Sequence, residues 1–160
     1  MDKKKLWIRI DNRLVHGQVI ETWLPYSKAN ILIVVNDDLA QDNLRQEIIG
    51  LAVPQNISLK FYPINQVLDS IHSTKDETNC KEVFMLFASC MDAKRAFEFG
   101  LNFDFLNIGN IHYAPGKKQV CDHIALSKED IHCIKFFEKK GIKLDFRCIP
   151  NKEVQIKSFR

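Results

Sequence analysis

Short apolar runs alternate with helical patterns along the chain, and this alternation constrains the fold more than any other feature of the sequence. The runs are rich in β-branched and aromatic residues and cover Leu6 to Ile10, Ile31 to Val35, Ile57 to Tyr62, Val83 to Ala88, Phe103 to Ile108, Val120 to Leu126 and Ile142 to Ile149. Buried strands separated by helices are typical of a parallel sheet that is covered on both faces. With 160 residues, 46% of them hydrophobic, the chain is long enough to bury one core. We therefore predict a single α/β domain over 1–160: a mostly parallel, open sheet of about seven strands with helices on both faces.

The segments between these runs carry helix signals. An i, i+3, i+4, i+7 apolar stripe runs from Ile64 to Ile71. A capping-box pattern at Ser127 and Asp130 begins another helix, which Gly141 ends. Further helices are predicted over Asp38 to Val53, closed by Pro54, over Asp92 to Phe99, closed by Gly100, and from Gly17 to Leu24, before Pro25.

A histidine lies at the junction between the first predicted strand and the helix that follows it. The local sequence is Arg9-Ile-Asp-Asn-Arg-Leu-Val-His-Gly-Gln-Val19, which places His16 on the turn. Imidazole has an ordinary pKa of about 6.5, so its neutral form is a competent nucleophile near neutral pH. A phosphoryl group on such a ring carries nearly two negative charges and needs nearby donors.

The residues around His16 supply those donors. Backbone N–H groups of Gly17 and Gln18 at the helix start favour an anion, and Gly17 has no Cβ to block its approach. Arg13 adds a cation that can bind an oxyanion through two hydrogen bonds. Asp11, at the end of the strand, is placed to orient Arg13 or the His16 ring. The pattern therefore favours phosphoryl chemistry, although a single histidine at a helix start is often a capping or packing residue.

Other polar residues follow the remaining strands. Ligands of open α/β sheets bind beyond the carboxyl ends of the parallel strands, so the loops at these ends share one edge. The candidates for a second layer of contacts around His16 are Asn36, Asp37, Ser89, Asn110 and His112. The last two lie in a predicted long loop from Gly109 to Lys118. An ordinary surface loop is the alternative for each of them.

Two weaker interpretations concern the histidines. A metal site built from His16, His112 and Asp37 stays open as an alternative, but no pair of these ligands has helical or hairpin spacing. His112 is also placed to contact a partner. Structural roles are expected for His72, His123 and His132.

The eleven-residue string Arg-Ile-Asp-Asn-Arg-Leu-Val-His-Gly-Gln-Val resembles the active-site signature of the IIB subunits of the mannose/fructose/sorbose class of the bacterial phosphoenolpyruvate-dependent sugar phosphotransferase system (PTS). The family string is close to Arg-Ile/Val-Asp-Asp/Glu-Arg-Leu-Ile-His-Gly-Gln-Val. The segment Val34 to Asp38 resembles the family's second strand and loop. Asn107 to Tyr113, followed by Gly116-Lys117, is similar to the late loop of members that serve N-acetylgalactosamine or galactosamine. Asn12 departs from the customary acidic residue, and Val15 replaces isoleucine.

The resemblance implies a cytoplasmic phosphocarrier. His16 would accept a phosphoryl group at Nδ1 from a phosphohistidine of the IIA subunit and pass it to the 6-hydroxyl of a sugar bound by the membrane IIC/IID permease. Arg13 would neutralise the transferred charge and Asp11 would orient the site. Family transfer uses neither nucleotide nor metal cofactor, and the chain has no Gly-x-x-x-x-Gly-Lys-Ser/Thr or Gly-x-Gly-x-x-Gly motif. The sugar is expected to be a galactose-series amino sugar, with mannose, fructose and sorbose as alternatives.

Two other classes of protein fit parts of the sequence. A regulator that binds phosphate or a sugar phosphate without turnover would use the same loop. Residues 117–160 hold 11 basic and 6 acidic side chains, which suits either a solvated lysine-rich face or an acidic partner. A nucleic-acid module is disfavoured, because the chain lacks a clear helix-turn-helix or aromatic-basic platform.

The cysteines and the apolar runs indicate the compartment. The five cysteines, Cys80, Cys90, Cys121, Cys133 and Cys148, are odd in number and have no Cys-x-x-Cys spacing. This argues against a disulfide framework or a zinc ribbon and favours a reducing cytosol. No apolar run reaches the 18 or more residues of a membrane span, so membrane association is expected through partners only. A homo-oligomer formed through a sheet edge or a helix face is left open.

Overall fold

The computed structural model describes residues 5–75, 77 and 82–159. The strands are β1 (Lys5–Asp11), β2 (Ile31–Val35), β3 (Ser58–Tyr62), β4 (Glu82–Phe87), β5 (Phe105–Asn110), β6 (Lys118–Cys121), β7 (Ile124–Leu126) and β8 (Lys143–Asp145). The α-helices are α1 (Leu24–Ser27), α2 (Asp37–Ala40), α3 (Asn43–Ala52), α4 (Val67–Lys75), α5 (Cys90–Glu98) and α6 (Lys128–Lys139). A π-helical turn (Val19–Trp23) precedes α1, and a 3₁₀ turn (Ile64–Gln66) precedes α4. Cys80 and part of the predicted polar loop 73–81 lie outside the described residues.

Six strands form one sheet in the order β3-β2-β4-β1-β5-β8, and every neighbouring pair is parallel. The carboxyl ends of all six strands therefore lie at one edge. The predicted open, mostly parallel sheet is confirmed. Strand β1 lies inside the sheet between β4 and β5, and Arg9 and Ile10 near its end are paired with both neighbours.

Helices cover both faces of this sheet, as predicted. On one face, strand side chains such as Ile8, Ile10 and Ile33 pack against buried residues of α4, α5 and α6, including Val67 and Phe137. On the other face, strand residues pack against the π-helical turn, α1 and α2. That cluster includes Trp23, Leu24, Leu32, Val34, Leu39, Phe84 and Leu86. Two apolar layers thus hold the central strands, and β2 is buried along its whole length.

The prediction of one strand from Val120 to Leu126 is wrong. The run from Val120 to Leu126 is split between β6 and β7, which pair as an antiparallel hairpin outside the main sheet. Asp122 and His123 make the turn, so one apolar run reverses direction. The last predicted strand is also shorter than expected, because only Lys143 to Asp145 pairs with β5.

Two helix boundaries differ from the predictions. The expected helix from Asp38 to Val53 is divided, because Asp42 interrupts it and its side chain accepts a hydrogen bond from the N–H of Arg45 at the start of α3. Pro25 does not end the first helix but occupies the first turn of α1, where proline costs no hydrogen bond. The capping box of Ser127 and Asp130 is confirmed at α6. Within the described part of the chain, no helix has the length and apolar character needed to cross a bilayer.

Candidate active site

Asp11 is the centre of the site. It is the last residue of β1 and is fully buried. Its Oδ2 accepts hydrogen bonds from Arg9 Nη2 at 3.0 Å and Nε at 3.2 Å, from Asn110 Nδ2 at 2.8 Å and from His16 Nε2 at 2.7 Å. Its Oδ1 accepts the backbone N–H of Arg13 at 3.0 Å. Donors from the strand, the loop and β5 thus fix one carboxylate.

The charge of this carboxylate determines which ring nitrogen of His16 carries the hydrogen. Burial alone would raise the pKa of Asp11, but the His16 hydrogen bond, the Arg9 charge and the Asn110 amide outweigh it and hold that pKa below its usual value. Asp11 is therefore ionised at neutral pH and can only accept. The Nε2 of His16 then carries the hydrogen, and Nδ1 presents its lone pair.

Arg9 is a buried cation that the sequence analysis did not assign to the site. Burial lowers its pKa, and the Asp11 carboxylate opposes that shift. Its guanidinium also donates from Nη1 to Asn107 Oδ1 at 2.6 Å and from Nη2 to Gln18 Oε1 at 3.0 Å, and it lies 5.1 Å from the ring centre of Trp23. The sequence did contain a sign of this role, because Arg9 is a charged residue inside an otherwise apolar strand. Lys and Arg are rarely buried without partners, so a buried partner for Arg9 could have been expected.

Asn107 was likewise missed, and strand pairing explains its place. Arg9 and Asn107 are Cα partners in the β1–β5 register. The Asn107 amide group donates to the carboxylate of Asp145, at 2.9 Å, and to the carbonyl oxygen of Arg147, at 3.0 Å. The end of β8 and the segment after it therefore pack against Asn107, on the side away from Asp11.

Gly109 makes room for the guanidinium. The β1–β5 register shifts between Ile10 and Asp11, so that Ile10 faces Ile108 and Asp11 faces Asn110. Gly109 is the additional residue on β5. A Cβ placed on Gly109 would lie 2.0 Å from Arg9 Cζ. The predicted loop 109–118 thus begins later than expected, because β5 continues through this irregularity to Asn110.

The loop that carries His16 is tied to the sheet by its backbone. The N–H of Asn12 donates to the carbonyl of Asn110 at 3.1 Å, and the N–H of Leu14 donates to the carbonyl of Asp11 at 2.9 Å. Leu14 is buried and has a φ of 56°, a left-handed conformation that a leucine adopts only when its surroundings impose it. The His16 side chain is 9% exposed and stands where the helical segment begins.

Gly17, Gln18 and Arg13 surround the ring, but their contacts differ. Gly17 is exposed, and a Cβ placed there would meet no atom within 4 Å. The Gln18 side chain accepts from Asn110 Nδ2 at 3.1 Å in addition to its bond with Arg9, so it contributes more than the predicted backbone N–H. The Arg13 side chain is exposed and forms no hydrogen bond or ion pair with any described residue.

Of the residues predicted for a second layer, the structure brings Asn110 into direct contact with Asp11. Asn36 and Ser89 instead cap the helices that follow them. Asp37 accepts the backbone N–H that starts the 3₁₀ turn and pairs with an arginine of α5. His112 is exposed and makes no hydrogen bond to His16 in the described part of the chain. The carboxyl ends of the strands share an edge, and the side chains in contact beside His16 come from the ends of β1 and β5, with the segment after β8 packed behind them.

The alternative metal site finds no support in this geometry. Among residues 5–75, 77 and 82–159, no group of three histidine, cysteine, aspartate or glutamate side chains is arranged to hold a metal ion. His16 Nε2 contacts Asp11 Oδ2 at 2.7 Å, whereas Asp37 pairs with Arg95.

The fold and the site together define a class: α/β carrier domains that present one carboxylate-bound histidine at the carboxyl edge of a parallel sheet. A family profile described as "PTS system sorbose subfamily IIB component" matches residues 6–158. The chain belongs to this family of IIB components, which confirms the resemblance seen in the motif. It is therefore a phosphocarrier of a sugar PTS and takes part in sugar phosphorylation.

Individual relatives are similar to this chain along nearly its whole length. The N-acetylgalactosamine-specific phosphotransferase enzyme IIB component 1 of Escherichia coli K12 is 30% identical over 146 residues, covering 91% of this chain and 90% of that protein. The sorbose-specific EIIB component of Klebsiella pneumoniae is 33% identical over 145 residues, covering 89% and 86%. The crystal structure of a PTS-dependent N-acetylgalactosamine IIB component from Streptococcus pyogenes superposes with a TM-score of 0.86 at 28% identity, covering 96% of this chain and 93% of that chain.

Proposed function

We propose that His16 is the phosphoryl acceptor and that it reacts through Nδ1. The observation that supports this is the 2.7 Å contact between His16 Nε2 and the ionised Asp11, which leaves Nδ1 as the nitrogen with a lone pair. In the proposed step, Nδ1 attacks the phosphorus of a phosphohistidine on the IIA subunit. The new Nδ1–P bond forms as the old N–P bond breaks, and the donor imidazole leaves with the electron pair.

Asp11 supports this attack electrostatically. The His16 ring becomes positive as Nδ1 bonds to phosphorus, and the carboxylate at Nε2 stabilises that charge. Arg9 and Asn110 hold the carboxylate in place through Oδ2. The geometry is fixed before the donor arrives, so little reorganisation is needed during transfer.

The incoming phosphoryl group is received by residues on the exposed side of the ring. Arg13 has a solvent-facing side chain with no ion pair among the described residues, so it is available to an anion. The N–H groups of Gly17 and Gln18 lie where the helical segment begins, and Gly17 leaves open space beside them. A bidentate arginine contact contributes about 1.5–3 kcal/mol. Such a site holds the group without preventing its release to the next acceptor.

The proposed second step passes the phosphoryl group from His16 to the 6-hydroxyl of a sugar bound by the membrane IIC/IID permease. The chain would act in the cytoplasm as a protein-Nπ-phosphohistidine–sugar phosphotransferase, without nucleotide or metal. We propose N-acetylgalactosamine or galactosamine as the sugar, because relatives named for N-acetylgalactosamine match over nine-tenths or more of the chain. Docking by IIA and by the permease is required at the same exposed edge.

The test of the first step is phosphorylation of the purified chain. It is incubated with phosphoenolpyruvate, the general PTS proteins and a mannose-class IIA, and the adduct is mapped by mass spectrometry with acid and base treatment. We expect one acid-labile, base-stable phosphoryl group on His16 and none in His16→Gln. His112→Gln is the matched control, since His112 is exposed on the same edge, and it should be phosphorylated normally. Phosphate on the His16→Gln variant would refute the assignment, and binding of phosphate without an adduct would favour the regulator alternative.

The sugar is tested separately. Membrane vesicles that contain a IIC/IID pair are supplied with the phosphorylated chain and with labelled N-acetylgalactosamine, galactosamine, mannose, fructose or sorbose. Formation of an amino-sugar phosphate, dependent on His16, would support the proposed sugar. Transfer to mannose, fructose or sorbose alone would replace it.

A further inference from the structure

A row of polar side chains crosses three neighbouring strands of the otherwise apolar sheet and ends at the active site. Arg9 of β1 is the Cα partner of Asn107 in β5, and Asn107 is the Cα partner of Asp145 in β8. Arg9 and Asn107 are buried, and the Asp145 side chain is only 13% exposed. Polar residues cost free energy inside a sheet unless they are hydrogen-bonded, and proteins place them there mainly where function requires them.

The Asn107 amide joins the two charged ends of this row. Its Oδ1 accepts a hydrogen bond from Arg9 Nη1 at 2.6 Å. Its Nδ2 donates to Asp145 Oδ2 at 2.9 Å and to the carbonyl oxygen of Arg147 at 3.0 Å. An amide turned the other way round would point its NH₂ group at the guanidinium, where a donor would face a donor. The acceptors on the β8 side therefore fix the amide with its oxygen toward Arg9.

Asp145 is itself held in one orientation. Its Oδ1 accepts from the backbone N–H of Arg147 at 3.3 Å and from Arg147 Nε at 2.9 Å, and Nε also donates to Oδ2 at 3.1 Å. Burial lowers the pKa of Arg9, and the charge of Asp145 is among those that oppose this shift. The carboxylate of β8 thus acts on Arg9 both through the Asn107 amide and through its charge.

Arg9 connects this row to the histidine. Its Nη2 and Nε donate to Asp11 Oδ2 at 3.0 and 3.2 Å, and the same Oδ2 lies 2.7 Å from His16 Nε2. Without the Asn107 acceptor, Nη1 would keep only its contact with the carbonyl oxygen of Arg147 at 3.4 Å, which is long for a hydrogen bond. The guanidinium could then tilt, and the carboxylate that contacts the ring would move with it.

We propose that Asn107 and Asp145 are positioning residues for phosphoryl acceptance. In the described part of the chain neither side chain bonds to His16. They hold the Arg9 guanidinium in place, and Arg9 holds the Asp11 carboxylate against the ring. Displacement of a catalytic group by about 1 Å costs up to about 100-fold in rate, so groups that are remote from the reaction still affect it. This inference rests on the proposed role of His16.

The kinetic test measures phosphoryl uptake by the full chain at increasing concentrations of phosphorylated IIA. Asn107→Leu keeps a similar volume but removes both ends of the amide, and its maximal rate should fall about tenfold or more. The IIA concentration that gives half the maximal rate should not change, because Asn107 is buried. Asp145→Ala, a change on an edge strand, should lower the maximal rate about threefold. Asp145→Asn keeps an oxygen for the Asn107 amide and should recover most of that loss.

Two controls separate positioning from a general loss of stability. Ile33→Ala removes buried apolar atoms from β2, which pairs with β3 and β4, so it should lower the urea midpoint without lowering the maximal rate. In an Arg9→Met background, Asn107→Leu should cause no further loss of rate, since the group that it positions is gone. Wild-type rates in both Asn107→Leu and Asp145→Ala, or a full additional loss in the Arg9→Met background, would overturn the proposal.

A second readout does not depend on phosphorylation. In ¹⁵N NMR spectra of the free chain, the His16 ring should carry its hydrogen on Nε2, and the Arg9 Nε–H should exchange slowly with solvent. In Asn107→Leu the share of ring hydrogen on Nδ1 should rise and the Arg9 Nε–H should exchange faster, whereas Ile33→Ala should match the wild type. Unchanged spectra in Asn107→Leu would refute the positioning role. Changed spectra in a chain that is never phosphorylated at His16 would show that the positioning is right and the proposed function wrong.

Discussion

Replacement of Gly109 by alanine tests whether the buried Arg9–Asp11 pair organises the site. The added methyl carbon would lie 2.0 Å from Arg9 Cζ and 2.3 Å from each of its Nη atoms, which is shorter than any tolerated contact. Arg9 is fully buried and is bonded to Asp11, Asn107 and Gln18, so the guanidinium has no open path to solvent. The variant must therefore break some of these bonds to fold.

The magnitude follows from what is broken. Disrupting a buried ion pair costs about 3–5 kcal/mol, because the remaining charge is left without a partner. Gly109 does not have a positive φ, so alanine suits the backbone there and regains at most about 1 kcal/mol of chain entropy. The net loss of about 2–4 kcal/mol is a large part of the 5–15 kcal/mol that stabilises a typical domain. With a urea m-value of about 2 kcal/mol/M, the unfolding midpoint should fall by about 1–2 M.

The assay is urea unfolding followed by circular dichroism, with phosphorylation by IIA measured in parallel. Gly50→Ala is the matched control, because a Cβ there meets no atom within 4 Å and alanine within α3 should stabilise by up to about 0.5–1 kcal/mol. In an Arg9→Met background, the alanine at position 109 should cost much less, since the clashing group is gone. If Gly109→Ala unfolds at the wild-type midpoint and is phosphorylated normally, the argument that Arg9 is pinned against β5 is wrong.

Three further predictions concern Asp11 and Gly17. Asp11→Asn should lower the initial rate of phosphoryl uptake by at least about 100-fold, because the positive ring of His16 loses its carboxylate; a rate close to wild type in the IIA assay would refute this role. Gly17→Ala should unfold at an unchanged midpoint, since its methyl meets nothing, yet accept the phosphoryl group about tenfold more slowly in the IIA assay, because the methyl fills space beside the N–H groups; a wild-type rate would contradict this. Because the pKa of Asp11 is held below its ordinary value of about 3.9, its ionised form stabilises the fold above that pH. Stability should therefore fall as the pH is lowered through about 4 and below, and urea midpoints should show a weaker pH dependence in Asp11→Asn than in the wild type.

The sequence pattern predicted the sheet because its strands are short, continuous apolar runs rich in β-branched and aromatic residues, which are typical of buried parallel strands. It could not locate the β6–β7 hairpin, since Asp122-His123 is not one of the glycine- or asparagine-containing pairs that mark tight turns. It also ended β5 too early, because Gly109 reads as the start of a loop unless the arginine packed against it is known. In each case the missing information was a contact with a distant part of the chain.

In the active site, too, local contacts could be predicted from the sequence and contacts between distant residues could not. Asp11 and His16 are five residues apart on one turn, so their proximity follows from the local sequence. Arg9 and Asn107 are 98 residues apart, and their contact depends on β1 pairing with β5 in a particular register. Gln18 and Cys148, 130 residues apart, meet only because the chain after β8 returns to the site. Polar residues in buried strands were visible in the sequence, but their partners were not.

The position of β1 inside the sheet has a consequence for how quickly and how tightly partners bind. The amides that follow β1 donate to Asp11 and Asn110, so they should exchange with deuterium only when several strands open together. A loop already ordered in the free protein loses little conformational entropy on association. On the proposed function, IIA and the permease would then engage the same histidine in turn without a folding step in the loop.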